Sequence, residues 1–324
     1  MILGRVDFLK SNSLNNQFLS IKSILGFIVS FICLYFVYLN FDFFIFLDQL
    51  KSLNYTYLLL SLFTIFLSLI VRAVRWKNIF NSNDISTYDL YRAELLGFWG
   101  NSVLPLKMGE LMKIHYAKIL TGRKYVTVLG TIIVERLIDF FLISPFLLLL
   151  YFYFPHEFIS DKINMLIFIL FIFAAIFLMY KFFISRIKQK ITKSIDSSLL
   201  KNFSTNKNII LSSTVILWFL IYLDVYFVQA SMTELKLTFF ECFSIMLIGT
   251  IVYIIPSSPG TFGTFHLIIQ EFMINVLDKP EMVSKTFAFI LHAHSYIFFI
   301  IVGTYYFIKD SQNILSIKDT DEVY

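Results

Sequence analysis

The residues best suited to chemistry lie between Gly97 and Asp139, in GFWGNSVLPLKMGELMKIHYAKILTGRKYVTVLGTIIVERLID. Asn101, Lys107, Glu110, Glu135, Arg136 and Asp139 stand there among apolar runs, and Pro105 and Gly109 interrupt any simple helix. A second break, PSSPGTFG over 256–263, brings Pro256, Pro259, Gly260 and Gly263, with His266 just beyond. Charges and helix breakers at membrane depth mark the path of a polar substrate. At such a break, the backbone N–H groups of a half-helix N-terminus and the close approach that Gly permits hold an anionic headgroup such as a phosphate.

Each residue also has a structural reading. Glu135, Arg136 and Asp139 stand at i, i+1 and i+4, so the two acids share a helix face and Arg136 reaches Asp139. At about 2.5–3.5 kcal/mol per central charge, three unpaired charges would cost about 8–10 kcal/mol, so they must be paired or interfacial. Because Leu137 to Phe154 is nearly a span in itself, an interfacial structural cluster is the competing reading. Arg72 and Arg75 serve equally as positive-inside anchors, Lys107 and Glu110 as solvated loop charges, and His266 as a hydrogen-bonded buried residue. His292 and His294 are two apart and face opposite ways on a helix, which argues against a metal pair. No HExxH, P-loop or nucleophile-elbow pattern is present, and no cofactor or metal is expected.

The elements that must position these groups are membrane helices. Hydrophobic residues make up 58% of the 324-residue chain, charged residues 15%, and mean hydropathy is +0.75, well away from the composition of a soluble domain. The 39 Phe add apolar surface that one water-soluble core could not hold. The expected fold class is therefore an all-α polytopic membrane protein. The net charge of +5 lies in loops rather than in a basic, aromatic-interleaved patch, so a membrane surface and not nucleic acid is the expected partner. Cys33 and Cys242 fall inside apolar runs, as core residues do. The run Ile24–Leu39 lacks a small-residue cleavage site after it and reads as an anchor rather than a signal peptide.

Apolar runs place six full spans at 23–39, 55–71, 126–154, 165–183, 209–230 and 283–308, with a kink expected at Pro145 in the third. Residues 40–55 read as a short loop. The segments 88–122 and 239–277 read as hairpins that enter and leave on one face, the first cytoplasmic and the second outer. Most of the 27 Lys and Arg then fall in cytoplasmic segments; Lys51, Lys162, Lys236 and Lys279 lie outside, and Arg136 and Lys285 lie in spans. Both termini are cytoplasmic on this count. The domain plan is a cytoplasmic segment 1–22, one transmembrane domain 23–308 and a cytoplasmic polar tail 309–324.

Aligning Pro105 with Pro256 also aligns Gly109 with Gly260 and His115 with His266, which makes the two hairpins an inverted repeat entering from opposite faces. The blocks RAVRW (72–76), GNSVLPLKMGELMK (100–113), VERLIDF (134–140) and PSSPGTFG (256–263) resemble those of the flippase-like family that includes the membrane region of lysylphosphatidylglycerol synthases. The resemblance covers about 20–308 and implies two re-entrant elements and movement of an anionic phospholipid or polyprenyl-linked lipid across the bilayer. By position it implies substrate-binding roles for Arg75, Asn101, Lys107, Glu110, Glu135, Arg136 and Asp139. Many members carry an acid where this chain has His266, which removes a carboxylate role from the second hairpin. The aminoacyl-transferring domain of the synthases has no counterpart here, so lysine transfer is not expected and the chain reads as a non-enzyme of the cytoplasmic membrane. Its expected partners are an anionic or polyprenyl-phosphate-linked lipid, with an envelope-biosynthesis enzyme and a second copy of the chain as further candidates. Two rival readings remain open: a membrane glycosyl- or phosphotransferase using Asp42 or Asp48, and a non-catalytic subunit docking an enzyme on the basic 184–208 loop.

Overall fold

A computed structural model describes residues 21–104, 107–153, 198–253 and 258–321. The expected span 165–183 and the basic loop 184–208, apart from its last residues, lie outside this range, as do Pro105 and Pro256. The described residues form ten α-helices and no strand. They are α1 (Ile21–Tyr38), α2 (Phe43–Lys51), α3 (Tyr55–Phe80), α4 (Thr87–Val103), α5 (Gly109–Thr121), α6 (Tyr125–Tyr153), α7 (Ser198–Ser231), α8 (Phe239–Val252), α9 (Thr264–Asn275) and α10 (Glu281–Asp321). A 3₁₀ turn, Pro259–Thr261, stands between α8 and α9.

Among the described residues, Tyr55–Phe80, Thr205–Ser231 and Glu281–Asp310 are each long and apolar enough to cross a membrane, and α1 with α2 forms an apolar pair bent by 84°. Large side chains such as Phe31, Leu59, Phe63, Phe219 and Ile301 are left on the outside, as a lipid-facing surface requires. The chain is thus a multi-pass membrane protein.

Two contacts fix α3 and α7 as antiparallel partners. The Asn54 amide donates to the Ser231 carbonyl at 2.8 Å, and the Asn206 side chain donates to the Asn78 carbonyl at 3.3 Å. The molecule therefore has two ends. End one holds residues near 39–54, 231–241 and 275–286, linked by Gln49 to Glu234 and Lys279 to Glu241. End two holds residues near 77–92, 118–125 and 205–210, and Arg92 reaches Asp310 of α10 there.

Both ends of the α4–α5 hairpin lie at end two: Arg92 near its start meets Asp310, and Arg123 after its close pairs with Asp84 at 2.8 Å. Both ends of the α8–α9 hairpin lie at end one, where Glu241 pairs with Lys279 at 2.8 Å. Each hairpin thus starts and finishes at one end of the molecule, and the two start from opposite ends. Each has its own apolar core. Leu69, Ala73, Leu95, Ala117 and Val128 pack the half around α4–α5, while Val228, Ile245, Ile269, Phe287 and Leu291 pack the half around α8–α9.

One expectation changes. Residues 40–55 are not simply a loop: Asp42 accepts from the Phe44 and Ile45 amides at 2.9 and 3.1 Å, and this cap starts α2. The helix α6 is one long helix with Pro145 inside it, matching the extent expected for the third span. The last helix runs to Asp321, and its apolar, span-length part ends at Asp310, beside the expected span end at 308.

Candidate functional site

Glycines bring the first polar constellation together. Gly97 and Gly100 lie one turn apart on α4 and face α5, and a Cβ built on Gly109 would run into the Gly97 carbonyl and the Asn101 amide. The α4 and α5 backbones consequently touch, in the small-residue packing that membrane helices use. One turn beyond Gly109, Lys113 follows on the same face of α5 and is pressed against Gly97.

Lys113 Nζ lies 2.6 Å from Glu94 Oε1 on α4 and 3.0 Å from Glu135 Oε2 on α6. Glu135 in turn accepts from Arg75 of α3 at 3.3 Å, and Arg75 grips both Asp139 oxygens at 2.6 and 3.1 Å. Trp218 of α7 donates to Asp139 at 3.2 Å, Thr214 meets Arg75 at 3.4 Å, and Trp76 donates to Thr131 at 2.8 Å. The Lys113 ammonium stands 4.3 Å over the Trp76 ring. Five helices are thereby joined through two cations and three carboxylates, none more than 8% exposed. With Glu135 ten residues into α6, the cluster lies about 15 Å from that helix's start.

The i, i+4 acids do share a face, but Arg136 does not reach Asp139. One position round the helix, it points away from α3 and pairs with Glu110 at 3.0 Å, both half-exposed. Nor does Arg75 serve as a surface anchor, being 1% exposed. Lys113, within the segment 88–122 read as a hairpin, is buried as well, and Glu94 and Lys113 complete the cluster without having been singled out. Their signal was the shared face of Gly109 and Lys113 opposite Gly97.

The second constellation is where the two hairpins meet. At the first tip, Lys107 adopts φ +55°, and the buried Lys107 Nζ and Asn101 Oδ1 have no hydrogen-bond partner. At the second, Gly260 and Gly263 take φ +65° and +80°, values that only Gly adopts without strain. His292 Nε2 donates to the Gly260 carbonyl at 2.6 Å. The Tyr296 ring lies edge-on to Phe262 at 4.8 Å, and its hydroxyl donates to the Ser102 carbonyl of α4 at 3.4 Å. The Ser258 amide donates to Ser30 of α1 at 2.9 Å. A cavity of about 470 Å³ opens here, with Ser30, Ser102, Ser258 and Tyr296 supplying polar atoms and Leu34 and Phe262 apolar walls.

Of the expected residues, Arg75, Glu135 and Asp139 come together, Glu110 pairs with Arg136, and Asn101 touches Gly109. Pro259 and Gly260 line or shape the second tip, and Gly263 approaches the α1 backbone at Ser30. His266 is buried at the start of α9, where Nδ1 accepts from the Gly263 amide at 3.4 Å and the ring meets His292 at 4.7 Å. The two glycines aligned by the repeat differ in detail: Gly109 begins a helix, whereas Gly260 lies in the 3₁₀ turn. His115 is likewise unlike His266, meeting Tyr125 at 2.7 Å near the surface. Among the described residues no group of three His, Cys, Asp or Glu is placed to hold a metal ion.

One protein family matches by its sequence profile: the lysylphosphatidylglycerol synthase TM region, over residues 23–303. No curated protein and no solved structure matches the chain.

Proposed function

The chain belongs to the lysylphosphatidylglycerol synthase transmembrane-region family, and from that premise we propose that it moves an anionic lipid headgroup across the bilayer. The observation that carries this reading is the meeting of two opposed hairpin tips around a largely apolar cavity that carries the hydroxyls of Ser30, Ser102, Ser258 and Tyr296, with an ammonium that makes no hydrogen bond, Lys107 Nζ, at the first tip. A buried ammonium that makes no hydrogen bond is costly even with Glu110 nearby, and an incoming phosphate relieves that cost. The hydroxyls of Ser102, Ser258 and Tyr296 replace part of the headgroup's lost water, while the acyl or prenyl tails stay in lipid.

The buried Arg75–Lys113 cluster has a different part in this scheme. Its charges are already paired, so it holds the helices that carry the first hairpin instead of taking the headgroup directly. Glu110 and Arg136, exposed and paired only with each other, are the groups that meet a headgroup arriving at end two. We assign end two to the cytoplasm and the chain to the cytoplasmic membrane. The transferase reading draws less support, since Asp42 caps α2 and Asp48 pairs with Lys51 at 3.1 Å.

Headgroup translocation in proteoliposomes tests the proposal. Fluorescent anionic and zwitterionic phospholipids and a polyprenyl-phosphate sugar are compared for wild type, Lys107→Gln and Ser258→Ala. Anionic lipids are expected to flip in wild type, with at least a tenfold loss in Lys107→Gln at unchanged thermal stability. Equal rates for wild type and Lys107→Gln would remove the hairpin tip from the pathway.

A further inference from the structure

A second set of polar side chains lies away from both constellations, on the three helices long enough to span. Ser61 of α3 donates to Asp224 Oδ1 of α7 at 2.5 Å, and His294 Nε2 of α10 lies 2.9 Å from the same oxygen. His294 Nδ1 lies 2.9 Å from the Ile290 carbonyl. The His294 and Asp224 side chains are 7% and 17% exposed.

The donors and acceptors fix where protons must be. A carbonyl oxygen only accepts, so Nδ1 carries a hydrogen. Asp224 Oδ1 already accepts from Ser61, so the contact with Nε2 needs one more proton between the imidazole and the carboxylate. With that proton, an imidazolium and a carboxylate attract each other across the α7–α10 boundary. Without it, an Nε2 lone pair faces a carboxylate, and the two helices lose the attraction that holds them there.

Groups on every neighbouring element bear on this pair. Tyr253, at the end of α8, lies within electrostatic range of Asp224. On α10 itself His292 stands two residues away, and beyond it is His266 of α9. From α3 the facing group is the Ser61 hydroxyl. The charged contact from α4, Arg92 to Asp310, is about 24 Å along α10, and the α2 contact at Thr286 is about 12 Å away.

The position of His294 along α10 supplies the consequence. Two residues before it, His292 holds the second hairpin through Gly260; two residues after it, Tyr296 touches Phe262 of that hairpin and Ser102 of the first. We propose that Ser61, Asp224 and His294 form a proton-binding site whose occupancy sets how the α10 segment 292–296 holds the two hairpin tips, and hence access to the cavity between them. On release the Nε2–H bond breaks and the proton passes to water, leaving a neutral imidazole and the carboxylate. Combined with the lipid-transport reading, on which only this last step rests, the site couples headgroup movement to a proton gradient.

Two measurements that need no transport test the site. In nanodiscs, ¹⁵N-histidine spectra, assigned with His294→Gln, are expected to show a doubly protonated His294 ring at pH 7 in wild type and a neutral one in Asp224→Asn. A neutral ring in wild type overturns the site. With Cys33 and Cys242 replaced by Ala, Ser258→Cys is then labelled by an impermeant maleimide from pH 6 to 9, with and without Asp224→Asn. Because the thiol chemistry is shared, the ratio of the two rates isolates the effect of the pair. A tenfold change in that ratio across the range is expected; a constant ratio overturns the link to the cavity.

A third arm separates the two readings. If wild-type liposomes flip lipid at a rate indifferent to an imposed pH gradient, the coupling is wrong and the transport reading stands. If His294 and the cavity respond to pH but no anionic lipid moves, the site stands and the transport reading fails.

Discussion

Arg75 illustrates how a buried charge in this chain is made tolerable. Its guanidinium spreads over Asp139 and Glu135 and sits 1% exposed, so removing it leaves two carboxylates facing each other in a dry interior. The cost of stripping one partner from a buried pair is about 3–5 kcal/mol, against less than about 1 kcal/mol for an exposed one. Arg75→Leu is therefore expected to lower the thermal midpoint in detergent steeply, while Arg136→Leu, which breaks only the half-exposed contact to Glu110, shifts it little. Similar losses from both would mean that the cluster is as wet as the surface pair. The spacing of Glu135 and Asp139 announced a shared face in the sequence. Their partner was harder to see, because a cation near the end of an apolar run has the same sequence signature whether it snorkels to water or turns inward. Glu94 and Lys113 were hidden for a related reason: their meeting depends on how closely α4 and α5 approach, which local spacing does not encode.

That approach is a property of the element, and it rests on glycine. A methyl group on Gly109 would meet backbone atoms of Gly97 and Asn101 that cannot rotate aside, so α5 as a whole would have to move off α4. Lys113 would move with it. Gly109→Ala is expected to cost at the upper end of the overpacking range, about 3 kcal/mol, and to diminish translocation as the tip shifts. Gly122→Ala is the control. It lies at φ +65° with open space around its would-be Cβ, so only the left-handed backbone is strained, at roughly 1–2 kcal/mol. Comparing their unfolding midpoints decides the matter, and equal shifts would mean that α4 and α5 do not touch through glycine. The short helix α2 shows what element-level reading misses. Its nine residues, with Asp48 among them and Asp42 just before them, lie between two long apolar runs, so polarity read as a loop, whereas Asp42 is the cap that starts a helix.

At the scale of the molecule, run length and charge bias made the plan of spans and hairpins readable, because lipid forces each crossing to be long, apolar and helical. The same argument ran out where three-dimensional pairing decides, as at the Ser61–Asp224–His294 set, whose members lie on three helices and share no sequence pattern. The hairpins themselves make the sharpest claim about the whole. If both are re-entrant, the two flanks of each lie on one side of the membrane, and the two hairpins lie on opposite sides. With Cys33 and Cys242 replaced by Ala, single cysteines at Asn83 and Lys124 flank the first hairpin, and single cysteines at Thr233 and Asp278 flank the second; all four native side chains are exposed. In intact cells an impermeant maleimide is expected to label positions 233 and 278 at once, and positions 83 and 124 only after permeabilisation. Labelling of one flank but not the other within a pair would mean that the segment crosses the membrane once and does not turn back. The cavity between the tips would then be a channel through a bundle rather than a meeting point of two half-helices, and the inverted arrangement on which headgroup transfer rests would be lost.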